Sequence, residues 1–184
     1  PDEYFLGLNK RQLQLTWVRY SFIQSAYVHS QKTGPFSICK NIAKPVVAIS
    51  KILKMRPILP YSAYVLYNWK RKNADGPIKV DNLELIQTFM RDSEQSWFNL
   101  IHADIENTAG QAIGRLWDAN LCVKDGAVNI LEYILVRIIW SIKDMIATMK
   151  RMPEGTSPDT YYKIRPWIMF FEDVIYEGVE EFEG

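Results

Sequence analysis

Residues 94–121 read EQSWFNLIHADIENTAGQAIGRLWDANL. The stretch is a long helical run, and Ser93 or Asp92 stands where an N-cap belongs. Helical spacing puts Phe98, His102, Ile105 and Ala109 on one face. The same periodicity recurs on both sides. From Asp125 to Lys150, Ile130, Ile134, Arg137 or Ile138, Ser141 and Met145 share a side. From Asn9 to Gln31, Leu13, Trp17, Tyr20, Ile23 or Gln24, and Tyr27 form one apolar stripe, which Lys32-Thr33-Gly34-Pro35 ends.

The remaining segments are shorter. Residues 36–45 read as an irregular link and Val46 to Lys54 as a short helix. Arg56-Pro57-Ile58-Leu59-Pro60 breaks the chain before an aromatic-rich segment from Tyr61 to Lys72, which Pro60 suits as a helix start. Asn73-Ala74-Asp75-Gly76-Pro77 is a turn. Asp81, with Glu84 three residues on, predicts a capped helix from Asn82 to Met90. Met152 to Asp159 is the clearest linker, and a short helix follows from Asp159 until Arg165, before Pro166. The tail from Trp167 to Gly184 reads as irregular or short-helical. Strand-like alternation is unconvincing throughout, with Val46 to Ile49 ambiguous. The predicted class is all-α.

Composition sets the outer limits. The chain has 184 residues with 48% apolar and 23% charged types, an ordinary globular balance. Six Trp, ten Tyr and eight Phe supply enough apolar surface to offset ordering entropy, which argues against disorder. A net charge of +1 gives no footprint for nucleic acid or an anionic membrane. The most apolar stretch, Ile130 to Trp140, is interrupted by Glu132 and Arg137 and is too short to span a bilayer. Cys39 and Cys122 have no His at metal-ligand spacing, so zinc is not expected. One disulfide stays open, but so few cysteines fit a reduced cytosol better. Both ends, Pro1 without a Met and Gly184 after an acidic run, read as a cut piece.

The chemical signals from pattern alone are sparse. Dinucleotide, phosphate-loop, nucleophile-elbow and zincin motifs are missing. His29 near the end of the first long helix reads as a helix-terminal histidine favoured by the dipole. His102 reads either as a core histidine on an apolar face or as a working one. Tyr61, Tyr64 and Val65, at i, i+3 and i+4, read as one helical face, either core or pocket wall. Arg165 either satisfies the last helix carbonyls or binds a carboxylate through its planar fork.

Several blocks, in order, resemble the indoleamine 2,3-dioxygenase family. Arg56-Pro57-Ile58-Leu59-Pro60-Tyr61-Ser62-Ala63-Tyr64-Val65-Leu66-Tyr67-Asn68-Trp69-Lys70 is similar to its PPIL–NW segment. Ala26-Tyr27-Val28 and Asn41-Ile42-Ala43-Lys44-Pro45 resemble two upstream pieces, with His29 where a Trp is usual. Glu94 to Glu106 resembles the family's WF…H…IE helix. Tyr162 to Trp167 and Val174-Ile175-Tyr176-Glu177-Gly178-Val179 resemble its RP and VYEGV blocks.

The resemblance implies a haem-dependent, all-helical oxygenase. Such an enzyme inserts O₂ across the C2–C3 bond of the tryptophan indole and gives N-formylkynurenine. It implies that residues 1–90 are the later part of a small helical domain and 91–184 the first part of a larger haem-binding one. Phe98 then matches the aromatic packed on the indole, and His102 the distal position that accepts the indole N–H as a neutral imidazole. Tyr61, Tyr64 and Val65 match the pocket wall, and Arg165 the substrate-carboxylate arginine. Thr160-Tyr161 replaces a Phe pair of the vertebrate members. The implied cofactor is haem b, whose proximal His is expected downstream of Gly184, so this chain alone should hold no iron. The implied partners are L-tryptophan, O₂ and a C-terminal half that could be a separate chain, in a cytoplasmic setting. Two rival readings are an O₂-storing relative without turnover and a haem-free helical interaction module.

Overall fold

A computed structural model describes residues 2–90, 93–169 and 173–180. Helices dominate, as the periodicity predicts. They are α1 (Asp2–Leu6), α2 (Lys10–Ser30), α3 (Lys40–Leu53), α4 (Ser93–Asp125), α5 (Val128–Lys150) and α6 (Pro158–Ile164). Of the two cap candidates before α4, Ser93 is its first residue and Asp92 lies outside the described residues. Helix α2 begins at a reciprocal capping box: Asn9 accepts from the Gln12 amide, and the Gln12 side chain accepts from the Asn9 N–H. Its face of Leu13, Trp17, Val18 and Phe22 is buried against α3, which presents Ala43, Val46, Val47 and Ile49.

Four expectations need correction. The first concerns residues 36–45, which hold strand β1 (Ser37–Ile38) and the first turns of α3 rather than a link. Pro45 sits inside α3, where it removes one backbone bond. The buried faces around it outweigh that loss.

The second concerns Tyr61 to Lys72. Only Ser62–Leu66 is helical, as a π-helix, with the Tyr67 N–H donating to the Ser62 carbonyl at 2.8 Å. Strand β2 (Trp69–Arg71) follows.

Third, the helix expected over Asn82 to Met90 is replaced by a 3₁₀ turn at Val80–Asn82 and strand β3 (Leu83–Leu85), antiparallel to β2. The supposed capping pair has other partners. Asp81 takes a bidentate contact from Arg151 at 2.9 and 3.0 Å, which holds its carboxyl below the usual range. Glu84 pairs with Lys70 across the hairpin at 2.8 Å. Asn68 fixes the hairpin base by exchanging side-chain bonds with the backbone of Gln87.

Fourth, the tail contributes strand β4 (Ile175–Tyr176), parallel to β1. The strands are two and three residues long, so the all-α class stands.

Helices α4 and α5 form an antiparallel hairpin. Gly126, at φ +68°, makes the left-handed turn between them. The segment after α5 is closely fitted rather than loose. The Trp97 indole N–H donates to the Arg151 carbonyl at 3.0 Å, and the Arg151 guanidinium lies 5.2 Å from the Trp97 ring centre. A Cβ on Gly155 would fall 2.5 Å from the Trp97 ring, so only glycine fits there. Ser157 caps α6 by accepting from the Thr160 amide, with Pro158 at the first helical position. Cys39 and Cys122 are both free thiols. Among the described residues, no helix is long and apolar enough to cross a membrane.

Candidate functional site

Helix α4 is held at several points around its circumference. Asn99 donates to the Tyr64 carbonyl at 2.9 Å. The Gln95 amide oxygen accepts from the backbone of Phe89 and Met90. Asp104, nearly fully buried, accepts from Lys79 Nζ at 2.9 Å and from the Val80 N–H at 3.0 Å. These contacts fix the rotation of α4 and hence the direction of its Phe98–His102 side.

On that side the Phe98 and His102 rings are in contact, with centroids 4.6 Å apart and planes tilted by 46°. His102 Nδ1 lies 2.8 Å from the Phe98 carbonyl oxygen. A carbonyl oxygen can only accept, so Nδ1 carries the hydrogen of the neutral ring. Nε2 is then left with a lone pair. The helix itself thus selects the tautomer that can accept a hydrogen bond from a ligand.

The other expected residues fall at different depths. Tyr61 is 46% exposed, and its hydroxyl donates to Glu106 Oε1 at 3.0 Å. Burial and that carboxylate raise the Tyr61 pKa well above its ordinary value. Tyr64 is only 5% exposed and lies inside the core, stacked near Phe22 at 5.9 Å and Phe89 at 6.4 Å. Burial pushes its hydroxyl up to about 12, against the neighbouring Gln95 and Asn99 amides. Val65 is buried beside it. The shared face expected of Tyr61, Tyr64 and Val65 therefore does not form. A π-helix advances less per residue than an α-helix, so positions i and i+3 diverge around its axis.

Arg165 is exposed and caps α6, with its N–H donating to the Tyr161 carbonyl. Among the described residues its side chain has no ion pair or hydrogen bond. The structure ties it to the site through Tyr161, one turn earlier, whose ring lies 5.4 Å from Phe98. His29 packs against Trp167 at 5.4 Å, away from these residues, and burial lowers its pKa. The residues that sequence reasoning left without a role are Glu106 and Tyr161. Glu106 was within reach, being i+4 from His102 on the same helix. Tyr161 comes from a distant element, and no local pattern places it.

Phe98, Tyr161 and His102 thus present aromatic surface and one bare ring nitrogen. That arrangement suits a flat heteroaromatic molecule bearing an N–H. The described residues contain no cluster of His, Cys, Asp or Glu able to hold a metal ion. His102 is the only histidine on this face, since His29 packs against Trp167 elsewhere.

Comparisons with known proteins point to one family. The chain is 30% identical to Indoleamine 2,3-dioxygenase 2 of Homo sapiens over 181 residues, which is 93% of this chain and 44% of that protein. It is 29% identical to Indoleamine 2,3-dioxygenase 1 of Mus musculus, covering 94% of this chain and 45% of the relative. It is 24% identical to Indoleamine 2,3-dioxygenase of Saccharomyces cerevisiae, covering 98% and 41%. The chain therefore spans less than half the length of these relatives. The family profile described as Indoleamine 2,3-dioxygenase matches residues 6–182, nearly the whole chain. Because that profile covers well over half of the chain, the chain belongs to the indoleamine 2,3-dioxygenase family.

Proposed function

We propose that this chain forms the substrate-facing part of a haem-dependent dioxygenase that opens the indole of L-tryptophan to N-formylkynurenine. The observation that carries the reading is the 2.8 Å contact of His102 Nδ1 with the Phe98 carbonyl oxygen. Nδ1 is tied to the Phe98 carbonyl, so Nε2 is an acceptor for the indole N–H. Phe98 supplies a ring for the indole to pack on, and Tyr161 buttresses Phe98 from α6. Arg165, one turn from Tyr161, is the group for the substrate carboxylate. Tyr61, braced by Glu106, stands at the rim, and the buried Tyr64 and Val65 back it from the core. When bound, haem supplies the oxygen chemistry. The protein's own residues orient the substrate, exclude water and hold the indole proton at Nε2.

Residues 1–90 then belong to a small helical domain, and 91–184 begin a larger one that holds the haem. The surface of α5 supports this division. Leu135, Ile139, Ile142, Ile146 and Met149 recur at intervals of four and three residues, and each is at least 44% exposed. A helix apolar on most of its circumference suits enclosure by further helices.

The test uses a polypeptide that continues this chain to the length of its relatives. His102→Ala should cut kcat/KM for N-formylkynurenine formation by at least tenfold while the haem absorption band is retained. Unchanged kcat/KM would remove His102 from the site. Reversible O₂ binding with no N-formylkynurenine would replace the enzyme reading with an oxygen carrier. The 184 residues alone should show no stoichiometric histidine-ligated haem band, and such a band would contradict the placement of the iron ligand elsewhere.

A further inference from the structure

A cavity lies at the C-terminal end of α2, and none of Phe98, His102, Tyr61 or Arg165 lines it. It is a cavity of about 510 Å³ between the end of α2, strand β1, residues 55–59 and the tail around β4. That volume falls in the roughly 300–1,000 Å³ range of small-molecule sites. Its walls are apolar: Val28 and Ile38 on one side, Ile58 and Leu59 on another, with Met55 and Met169 adding adaptable thioethers.

The donors of the inner wall are committed to the protein, and one acceptor, the buried Gln24 amide oxygen, has no partner among the described residues. The Gln24 amide donates to the Pro57 carbonyl at 2.7 Å and to the Tyr176 hydroxyl at 2.9 Å. Tyr176 donates to the same Pro57 carbonyl. Ser25 donates to the Trp167 carbonyl at 2.6 Å. These bonds join α2, the 55–59 segment and the tail, so the cavity is framed by hydrogen bonds between three separate parts of the chain. The donors of its inner wall are therefore satisfied, and a ligand there meets apolar surface.

One group at the cavity is different. Arg56 lines it, is exposed, and has no ion pair or side-chain hydrogen bond among the described residues. No acidic side chain is among the described lining residues. A guanidinium at the solvent edge of an apolar cavity matches one ligand chemistry, an anionic head on an apolar body. We propose that this cavity binds a monocarboxylate with an apolar body, its carboxylate paired with Arg56 and its body between Val28, Ile38, Ile58 and Met169. The proposal does not depend on the dioxygenase reading, since every residue it uses belongs to this cavity.

Calorimetric titration of the 184-residue chain with decanoate tests it. One saturable site per chain is expected. Arg56→Glu should weaken binding at least tenfold, and Ile58→Trp, which fills the cavity, should abolish it. Val174→Trp fills the same cavity from the tail and serves if Ile58→Trp fails to fold by circular dichroism. Arg165→Glu should leave decanoate affinity unchanged, which separates this site from the α4 face. 1-Decanol should bind at least tenfold more weakly than decanoate. No saturable binding would overturn the proposal. So would equal affinity in wild type, Arg56→Glu and a folded cavity-filling variant, since decanoate would then be adsorbing to exposed apolar helix surface. Equal affinity for decanol and decanoate would remove the role of Arg56.

Discussion

Helices α2 and α5 are similar in length, 21 and 23 residues, but they treat their apolar side chains differently. In α2, Trp17 and Val18 are fully buried, and Leu13, Phe22 and Val28 nearly so. In α5 the only buried large apolar side chain is Ile138, while Ile130, Tyr133, Ile139, Trp140 and Ile146 are exposed. The sequences differ accordingly. Helix α2 alternates one apolar stripe with polar positions, a pattern that one packed neighbour satisfies. Helix α5 is apolar on several sides, and α4 covers only one of them. The contrast teaches that the N-terminal helices form a finished core, whereas α5 is built for more neighbours than these residues provide.

The comparison can be broken by substitution. Trp17→Ala should cost about 3–5 kcal/mol of stability, because a large side chain leaves a close-packed interior. Ile146→Ala on α5 should stay within about 0.5 kcal/mol, as for an ordinary surface position. Urea unfolding of both variants checks this, and equal losses would mean that α5 is packed in solution.

Asp104→Ala is the next largest. It strands the buried Val80 N–H and leaves Lys79 without its carboxylate, at a cost of about 2–3 kcal/mol in the same assay.

Alkaline pH gives a smaller effect on the buried side. Burial pushes the hydroxyls of Tyr64 and Tyr176 up to about 12. The unfolded chain ionises these groups near pH 10 while the folded chain does not. Stability is therefore complete below pH 10 and is lost from pH 10 to about 12. Each tyrosine should account for about 1 kcal/mol at pH 11. Denaturant unfolding at pH 9, 10 and 11 measures the slope, and Tyr64→Phe should flatten it. Tyr61→Phe loses the partly exposed bond to Glu106 and should cost about 0.5–1 kcal/mol, above only the Ile146→Ala value.

The readability of the sequence follows the range of the interactions. Helices α2, α4 and α5 are set by local periodicity and, in α2, by a capping box three residues wide, so they are legible. Asp81 and Glu84 show the opposite case. Their spacing imitates a capping box, but Arg151 lies 70 residues away in sequence, and its bidentate contact with Asp81 is invisible locally. Strands β1 and β4 pair Ser37 with Ile175, and two-residue strands carry no periodicity of their own. At the site, Phe98 and His102 are legible because i and i+4 must meet on an α-helix. Tyr61 and Tyr64 are not, because their separation depends on the π-helical turn, and aromatic-rich sequence does not distinguish that turn from an α-helix. Family resemblance drew attention to Tyr64 as pocket wall, and its burial beside the Phe22–Phe89 pair depends on elements distant in sequence that no local pattern shows.

The central claim is that α4 itself prepares His102 as a hydrogen-bond acceptor. Long-range ¹H–¹⁵N correlation NMR of the imidazole, at pH 8 with His29→Gln to leave a single histidine, reads the tautomer directly. The account predicts a protonated Nδ1 and an unprotonated Nε2. A hydrogen on Nε2 would contradict it, because the ring could then only donate where the indole N–H must be received.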